Sequence, residues 1–207
     1  MNLYEKPGKK DDRRFKSVGL LVIKGSGFVS YGSAVLIESD LIITADHNFA
    51  NNEGFLEAEF YPNFPEPKRR VVKVSEVYRN KNYVQSRKTS DDFALARLEE
   101  GVGGICFPGI KASESGSVTV VGYPSAFPYI GGERMFAPGS FSRPYLEPII
   151  VSEGTFLSAG MSGGGWFDEN GDLVGITSSK FGQEQNTASA ILDETIIRNL
   201  LNKNTYV

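Results

Sequence analysis

Short apolar segments punctuated by turn residues dominate this chain and set the tightest limit on its fold. From Ser17 onward, Val18–Ile23, Val29–Glu38, Leu41–Thr44, Phe55–Tyr61, Val71–Tyr78 and Phe93–Leu98 are rich in Val, Ile, Phe and Tyr. Gly, Pro, Asn and Asp bound them, the pattern of β-strands rather than helices. A Gly- and Pro-bearing stretch from Glu99 to Glu114 then reads as a long connection. The second half repeats the pattern in Ser117–Tyr123, Arg134–Ala137, Ile149–Glu153, Gly164–Phe167, Leu173–Ser179 and Thr187–Ile191. Only Asp193 to Lys203 has helical spacing, with Ile196, Ile197, Leu200 and Leu201 on one face. Two runs of short strands closed by a single helix predict an all-β chain of two antiparallel barrels.

The expected parts are a polar arm over residues 1–16, an N-terminal barrel over 17–105 and a connection over 106–115. A C-terminal barrel over 116–191 follows, then a helix and tail over 192–207. Between the last strands, Asp168-Glu169-Asn170-Gly171-Asp172 offers two readings. As a calcium loop it fails, because Leu173 stands where that pattern needs glycine. Asn-Gly between apolar runs predicts a hairpin instead.

Composition narrows the function. A chain of 207 residues with 40% hydrophobic content supports a real core, and a formal net charge of −3 gives no electrostatic case for nucleic acid or an anionic membrane surface. One cysteine, Cys106, forbids an internal disulfide, and with the single histidine, His47, it cannot build a His/Cys zinc site. The run Val18 to Ile23 is too short and too late for a signal peptide. The expected location is cytoplasmic, or exported by a route needing no such signal. The sequence sets no oligomeric state.

The stretch Gly160-Met161-Ser162-Gly163-Gly164-Gly165-Trp166 bears most directly on chemistry. Glycine costs folding entropy, so four around one hydroxyl suggest backbone geometry that other residues do not allow. A turn between strands is one reading. A nucleophile loop is the other, and it needs a base and an orienting acid. His47 ends the apolar run Leu41 to Asp46, which places an imidazole at a barrel rim. Asp92 opens the apolar run Phe93 to Leu98, where an unpaired acid would be costly. Asp91 beside it is the competing choice, more easily read as exposed. Gly160 to Gly164 also fits the nucleophile elbow of α/β-hydrolases, but those enzymes place histidine after serine, and none follows Ser162. The order His47, Asp92, Ser162 is that of chymotrypsin.

Four blocks now resemble the trypsin-like serine peptidases. Gly32 to Ile37 with Leu41 to His47 is similar to their G-S/G-x-V-L-I … L-x-T-A-A-H, and Asp92 to Leu98 to D-I-A-L-L-x-L. Gly160 to Gly164 resembles G-D-S-G-G-P, and Gly171 to Ser179 the following G-x-L-x-G-I-x-S strand. The resemblance spans about Gly32 to Ser179. It implies two six-stranded barrels with the site in the cleft between them, a peptide or protein substrate, and no cofactor or metal. By resemblance His47 is the general base, Asp92 the orienting acid and Ser162 the nucleophile. The N–H groups of Gly160 and Ser162 would form the oxyanion hole, worth about 3 kcal/mol per donor. Ser178, Ser179 and Lys180 would pair with substrate backbone. Phe156 and Leu157 would line the specificity pocket, with Thr177 and Lys180 facing them.

Departures from the family pattern carry their own expectations. Met161 replaces the aspartate that pairs with a freshly cut N-terminus, so competence should not depend on that ion pair. Asn48 replaces a frequent half-cystine and Gly165 the usual proline. Asp46 stands for the usual alanine and reads as a solvent-exposed acid. With no disulfide, the profile resembles the bacterial HtrA-like and glutamyl-endopeptidase-like branches. No acid occurs in Phe156 to Ala159 to favour Lys or Arg, and no second histidine is present to bind Glu. Lys180 could attract an acidic side chain or lie along the pocket mouth, and the expected preference before the scissile bond is small or apolar. A non-catalytic binding module and an esterase on the same fold are the alternatives.

Overall fold

The computed structural model describes residues 15–50, 55–62, 70–125, 133–153, 155, 158–181 and 186–204. Most of the polar arm, and the pocket candidates Phe156 and Leu157, lie outside the described residues. The first six strands are β1 (Val18–Gly25), β2 (Phe28–Glu38), β3 (Leu41–Thr44), β4 (Phe55–Tyr61), β5 (Val72–Tyr78) and β6 (Ala94–Leu98). They close into an antiparallel barrel in the order β1-β2-β3-β6-β5-β4.

The near-continuous apolar runs in this half have a structural reason. Leu21 and Ile23 of β1 face the barrel interior with Ala34, Leu36, Ile42 and Phe60. The alternate residues Leu20 and Val22 join Val35, Ile37, Ile43 and Leu95 in a second cluster, shared with Val121, Phe167 and Ile176 of the other half. A strand buried on both faces loses its polar alternation.

The second half contains β7 (Ser115–Gly122), β8 (Met135–Ser142), β9 (Ile149–Glu153), β10 (Gly165–Phe167), β11 (Leu173–Ile176), β12 (Ser179–Phe181) and β13 (Asn186–Ala190). Their order is β11-β10-β7-β8-β9-β13-β12. Seven strands replace the six expected, because the run Leu173–Ser179 divides. Thr177 N–H donates to Gly164 O at 2.8 Å, while Ser178 N–H donates to Ala188 O at 3.0 Å. Consecutive residues thus bond to opposite ends of the sheet, which curls so that its two edge strands follow one another in the chain. The sheet is a half-barrel where a closed six-stranded barrel was expected.

Residues 168–172 form the expected hairpin. Asp168 Oδ1 accepts from the N–H groups of Asn170 and Asp172, and Gly171 takes a φ of +88°. Helix α3 (Glu194–Asn204) buries Ile197 and Leu200 in the shared cluster and packs on β5 and β6 of the first barrel. Two further short helices were not foreseen, α1 (His47–Ala50) and α2 (Lys81–Ser86), nor was a 3₁₀ turn at Thr89–Asp91. None is long enough to display a 3.6-residue period. Among the described residues, no helix is long and apolar enough to cross a membrane.

Candidate active site

The histidine side is built where β3 runs out. Asn48 and Phe49 N–H groups bond back to Ala45 O and Asp46 O, turning the chain into α1. Phe49, 1% exposed, pins that turn in the barrel interior, which leaves His47 half-buried at the rim. Asp92 leaves the 3₁₀ turn just before β6 and is 2% exposed. Its carboxylate takes three donors. His47 N–H reaches Oδ1 at 2.9 Å, His47 Nδ1 reaches Oδ2 at 2.7 Å, and Ser178 Oγ reaches Oδ2 at 2.5 Å. A carboxylate oxygen accepts here, so the ring's Nδ1–H faces Asp92, and in the neutral imidazole this tautomer leaves the lone pair on Nε2. Asp91, less buried, bonds through Oδ2 to Ser86 Oγ at 3.3 Å and lies off this pair.

The serine side is held by backbone. Gly160 and Gly163 take φ values of +87° and +82°. A Cβ on Gly163 would sit 2.1 Å from Thr44 Oγ1 and 2.2 Å from Ser33 O, and one on Gly160 only 2.4 Å from Tyr123 O. Two side chains of the first half bond this loop, and a third braces them. Ser33 Oγ donates to Gly160 O at 2.8 Å and accepts from Tyr123 N–H. Thr44 Oγ1 donates to Ser33 O at 2.7 Å. Asn48 Nδ2 donates to Thr44 Oγ1 and, at 3.1 Å, to Ser162 O, which also accepts from Ser33 N–H at 2.8 Å. The residue after the histidine therefore grips the carbonyl of the serine. Ser33, Thr44 and Asn48 were not singled out for this role. The available signal was a polar residue inside an otherwise buried apolar run.

Met161 is 1% exposed and packs with Val120, Trp166 and Val174, an apolar plug where a charge pair would need polar neighbours. Of the expected pocket residues, Thr177 is fully buried, its Oγ1 accepting from Trp166 Nε1 at 3.1 Å. Ser178 serves Asp92, Ser179 Oγ bonds with Thr89 Oγ1 at 2.9 Å, and Lys180 is exposed. A cleft of about 250 Å³ opens beside the imidazole, lined by His47, Tyr83, Arg87, Thr89, Asp92 and Ser179 among others.

Asp46 corrects the sequence reading. It is fully buried rather than exposed. Arg79 binds its Oδ1 through Nε at 2.6 Å and Nη2 at 2.5 Å, and Asn80 N–H donates to Oδ2 at 2.8 Å. Burial pushes its carboxyl above the ordinary value of 3.8, partly opposed by Arg79 and the Asn80 N–H. Its partners lie more than thirty positions away in sequence, so nothing local announced them.

A family profile of the trypsin-like peptidase domain matches residues 25–176, most of the chain. The chain belongs to the trypsin-like peptidase family. No curated protein sequence matches it. Among solved structures it is similar to a thermostable serine protease AL20 from an extremophilic microorganism, at 17% identity and a TM-score of 0.77. That match covers 93% of this chain and 99% of the other. A Glu endopeptidase in complex with MPD matches at 18% identity and 0.79, over 98% and 96%. The protease Anisep from Arthrobacter nicotinovorans matches at 18% and 0.73, over 91% and 94%. At these identities the likeness establishes the chymotrypsin-like fold, in agreement with the strand order above. Membership of the trypsin-like peptidases and this fold support serine peptidase chemistry in general.

Proposed function

We propose that this trypsin-like peptidase is an active serine endopeptidase working through an acyl-enzyme. Ser162 Oγ attacks the scissile carbonyl while His47 Nε2 takes its proton, then returns it to the leaving amine. Asp92 holds the imidazole in the Nδ1–H tautomer and offsets the positive charge that forms on it. The N–H groups of Gly160 and Ser162 donate to the oxyanion. The observation that carries this reading is the His47–Asp92 pair. A buried carboxylate takes both the backbone and the ring N–H of one histidine, and the adjacent Asn48 ties that histidine's helix to Ser162.

The substrate is an extended peptide. β12 ends the sheet order next to β13, and an extended peptide would add there as a further strand along Ser179 and Lys180. The cleft beside His47 would take one substrate side chain. The preference before the scissile bond is small or apolar, and competence needs no ion pair at Met161.

Labelling with a fluorophosphonate probe tests the reading. Wild type is expected to label and Ser162→Ala is not. A folded wild type that does not label would overturn it and leave a binding module.

A further inference from the structure

Asp46 has no part in the chemistry just described, yet a fully buried carboxylate one residue before the imidazole is a costly thing to keep. Its contacts trace a closed path. Asp46 Oδ2 accepts from Asn80 N–H at 2.8 Å, and Asn80 Nδ2 donates to Asp91 O at 2.8 Å. Asp91 is bonded through the chain to Asp92, whose carboxylate binds His47 twice, and His47 follows Asp46. Every link is a hydrogen bond of 2.7–2.9 Å or a single step along the chain. The same Asn80 caps α2 through its Oδ1, which accepts from Asn82 N–H, so its amide orientation is set from both ends. Arg79 closes on Asp46 from the side through two nitrogens.

We propose that Asp46 and Asn80 are positioning residues that fix the separation and angle between His47 and Asp92. His47 sits on the short turn α1 and Asp92 at the end of a 3₁₀ turn, with no strand pairing of its own to fix either. The path through Asp46 and Asn80 supplies the second attachment that turns two short turns into one rigid unit. An alanine before the histidine, with no side-chain acceptor, would leave Asn80 N–H and the Arg79 fork without this anchor. The inference rests on the reading of His47 and Asp92 as the working pair.

Two variants break the path at different points. Asp46→Asn weakens it at the histidine end. Its fold should survive, because Arg79 also lines a solvent-open cavity of about 250 Å³ with Asn80, Asp91 and Asn199 and can be hydrated there. Asn80→Ser breaks the far end, keeping an oxygen for the α2 cap but too short to reach Asp91 O. Each is expected to lower kcat on a peptide ester by about 10- to 100-fold with KM changed less than about twofold, as expected of a misplaced base. The double variant should be no worse than the more damaging single, since both cut one path. His47 is the only histidine, so the proton on its Nδ1 gives a single assignable NMR signal that does not depend on turnover. That signal should be protected from exchange in wild type and lost in both variants.

Unchanged kcat with a lowered Tm, multiplicative losses in the double variant, or an unaltered Nδ1 proton signal would each overturn the inference. A wild type that fails to label with fluorophosphonate would sink the proposed function alone, since the Nδ1 signal still decides the positioning role.

Discussion

The two sides of the cleft are rigid for different reasons. On the serine side, Gly160 and Gly163 adopt positive φ with neighbours within 2.4 Å of where a Cβ would stand. Rigidity there comes first from closely packed backbone, to which the Ser33 and Asn48 side chains add hydrogen bonds to the loop's carbonyls. On the histidine side, the turns carrying His47 and Asp92 are held by side-chain hydrogen bonds, many of them to carboxylates. The serine side should therefore tolerate no added atom, and the histidine side no lost donor or acceptor. It also follows that stability and rate should separate. Damage to the glycines should appear mainly in folding, and damage to the carboxylates mainly in turnover.

The largest expected effect is on the histidine side. Asp92→Asn keeps the shape but lets the imidazole adopt the other tautomer, and kcat should fall about 10⁴-fold. Asp91→Asn, whose carboxylate bonds Ser86 Oγ among the described residues, should change kcat by less than about threefold, because polar swaps near the surface cost little. Steady-state kinetics on one ester substrate compare the two. A larger loss at Asp91 would reassign the acid and dissolve the path through Asn80.

Next comes the serine side. Gly163→Ala should cost about 3 kcal/mol or more, since an unfavourable φ and an overpacked Cβ each cost on the order of 1–3 kcal/mol. Gly27 supplies the control. Its φ is +88°, yet nothing lies within 4 Å of its Cβ position. Gly27→Ala should therefore carry only the backbone penalty, about 1–2 kcal/mol. Urea melts of the two variants separate close packing from strain. Equal losses would mean that the serine loop relaxes around an added methyl and is not held as described.

This contrast also explains what was legible in the sequence. The glycines around Ser162 were conspicuous because glycine clustering is local, and His47, Asp92 and Ser162 stood at the ends of apolar runs in a recognisable order. The strand pattern likewise showed the first barrel closely, from Val18 to Leu98. The histidine-side scaffold left almost no trace. Asp46 looked exposed because its partners Arg79 and Asn80 belong to another part of the chain. The turns around α2 and Asp91 are too short to display a helical pattern over successive turns. The division at Thr177–Ser178 depends on which strand each N–H finds, a tertiary fact written into no local run. Ser178 falls at that division, outside both β11 and β12, and its bond to Asp92 spans 86 positions.

Asn48 joins the two sides and should show an intermediate effect. Asn48→Ala removes the donor to Ser162 O and to Thr44 Oγ1, while Ser33 N–H still serves Ser162 O. Two lost hydrogen bonds suggest about 1–2 kcal/mol in stability. If the amide also sets the serine against the histidine, fluorophosphonate labelling should slow about tenfold, equivalent to about 1.4 kcal/mol in the barrier. A loss of stability with no change in labelling rate would mean that the two sides are aligned by the shared apolar cluster alone.

The smallest effect asks what the histidine side costs. Burial raises the Asp46 carboxyl above 3.8 despite Arg79 and the Asn80 N–H. An acid with a raised folded pKa binds its proton more tightly in the native state than in the unfolded chain. Its contribution to stability is therefore fully present below about 3.8 and is lost as pH rises through the folded value. The amide that replaces this carboxyl in Asp46→Asn cannot titrate. The unfolding free energy of wild type minus that of the variant should fall with rising pH above the ordinary carboxylate range, by no more than about 1.4 kcal/mol per pH unit. Thermal melts of both proteins across that range measure it. A difference that rises with pH would mean that the pairing with Arg79 outweighs burial, so that the anchor beside His47 stabilises the fold. A falling difference would mean that the charge is kept at a cost in stability, which sets the histidine side apart from the serine side, where close packing and stability act in the same direction.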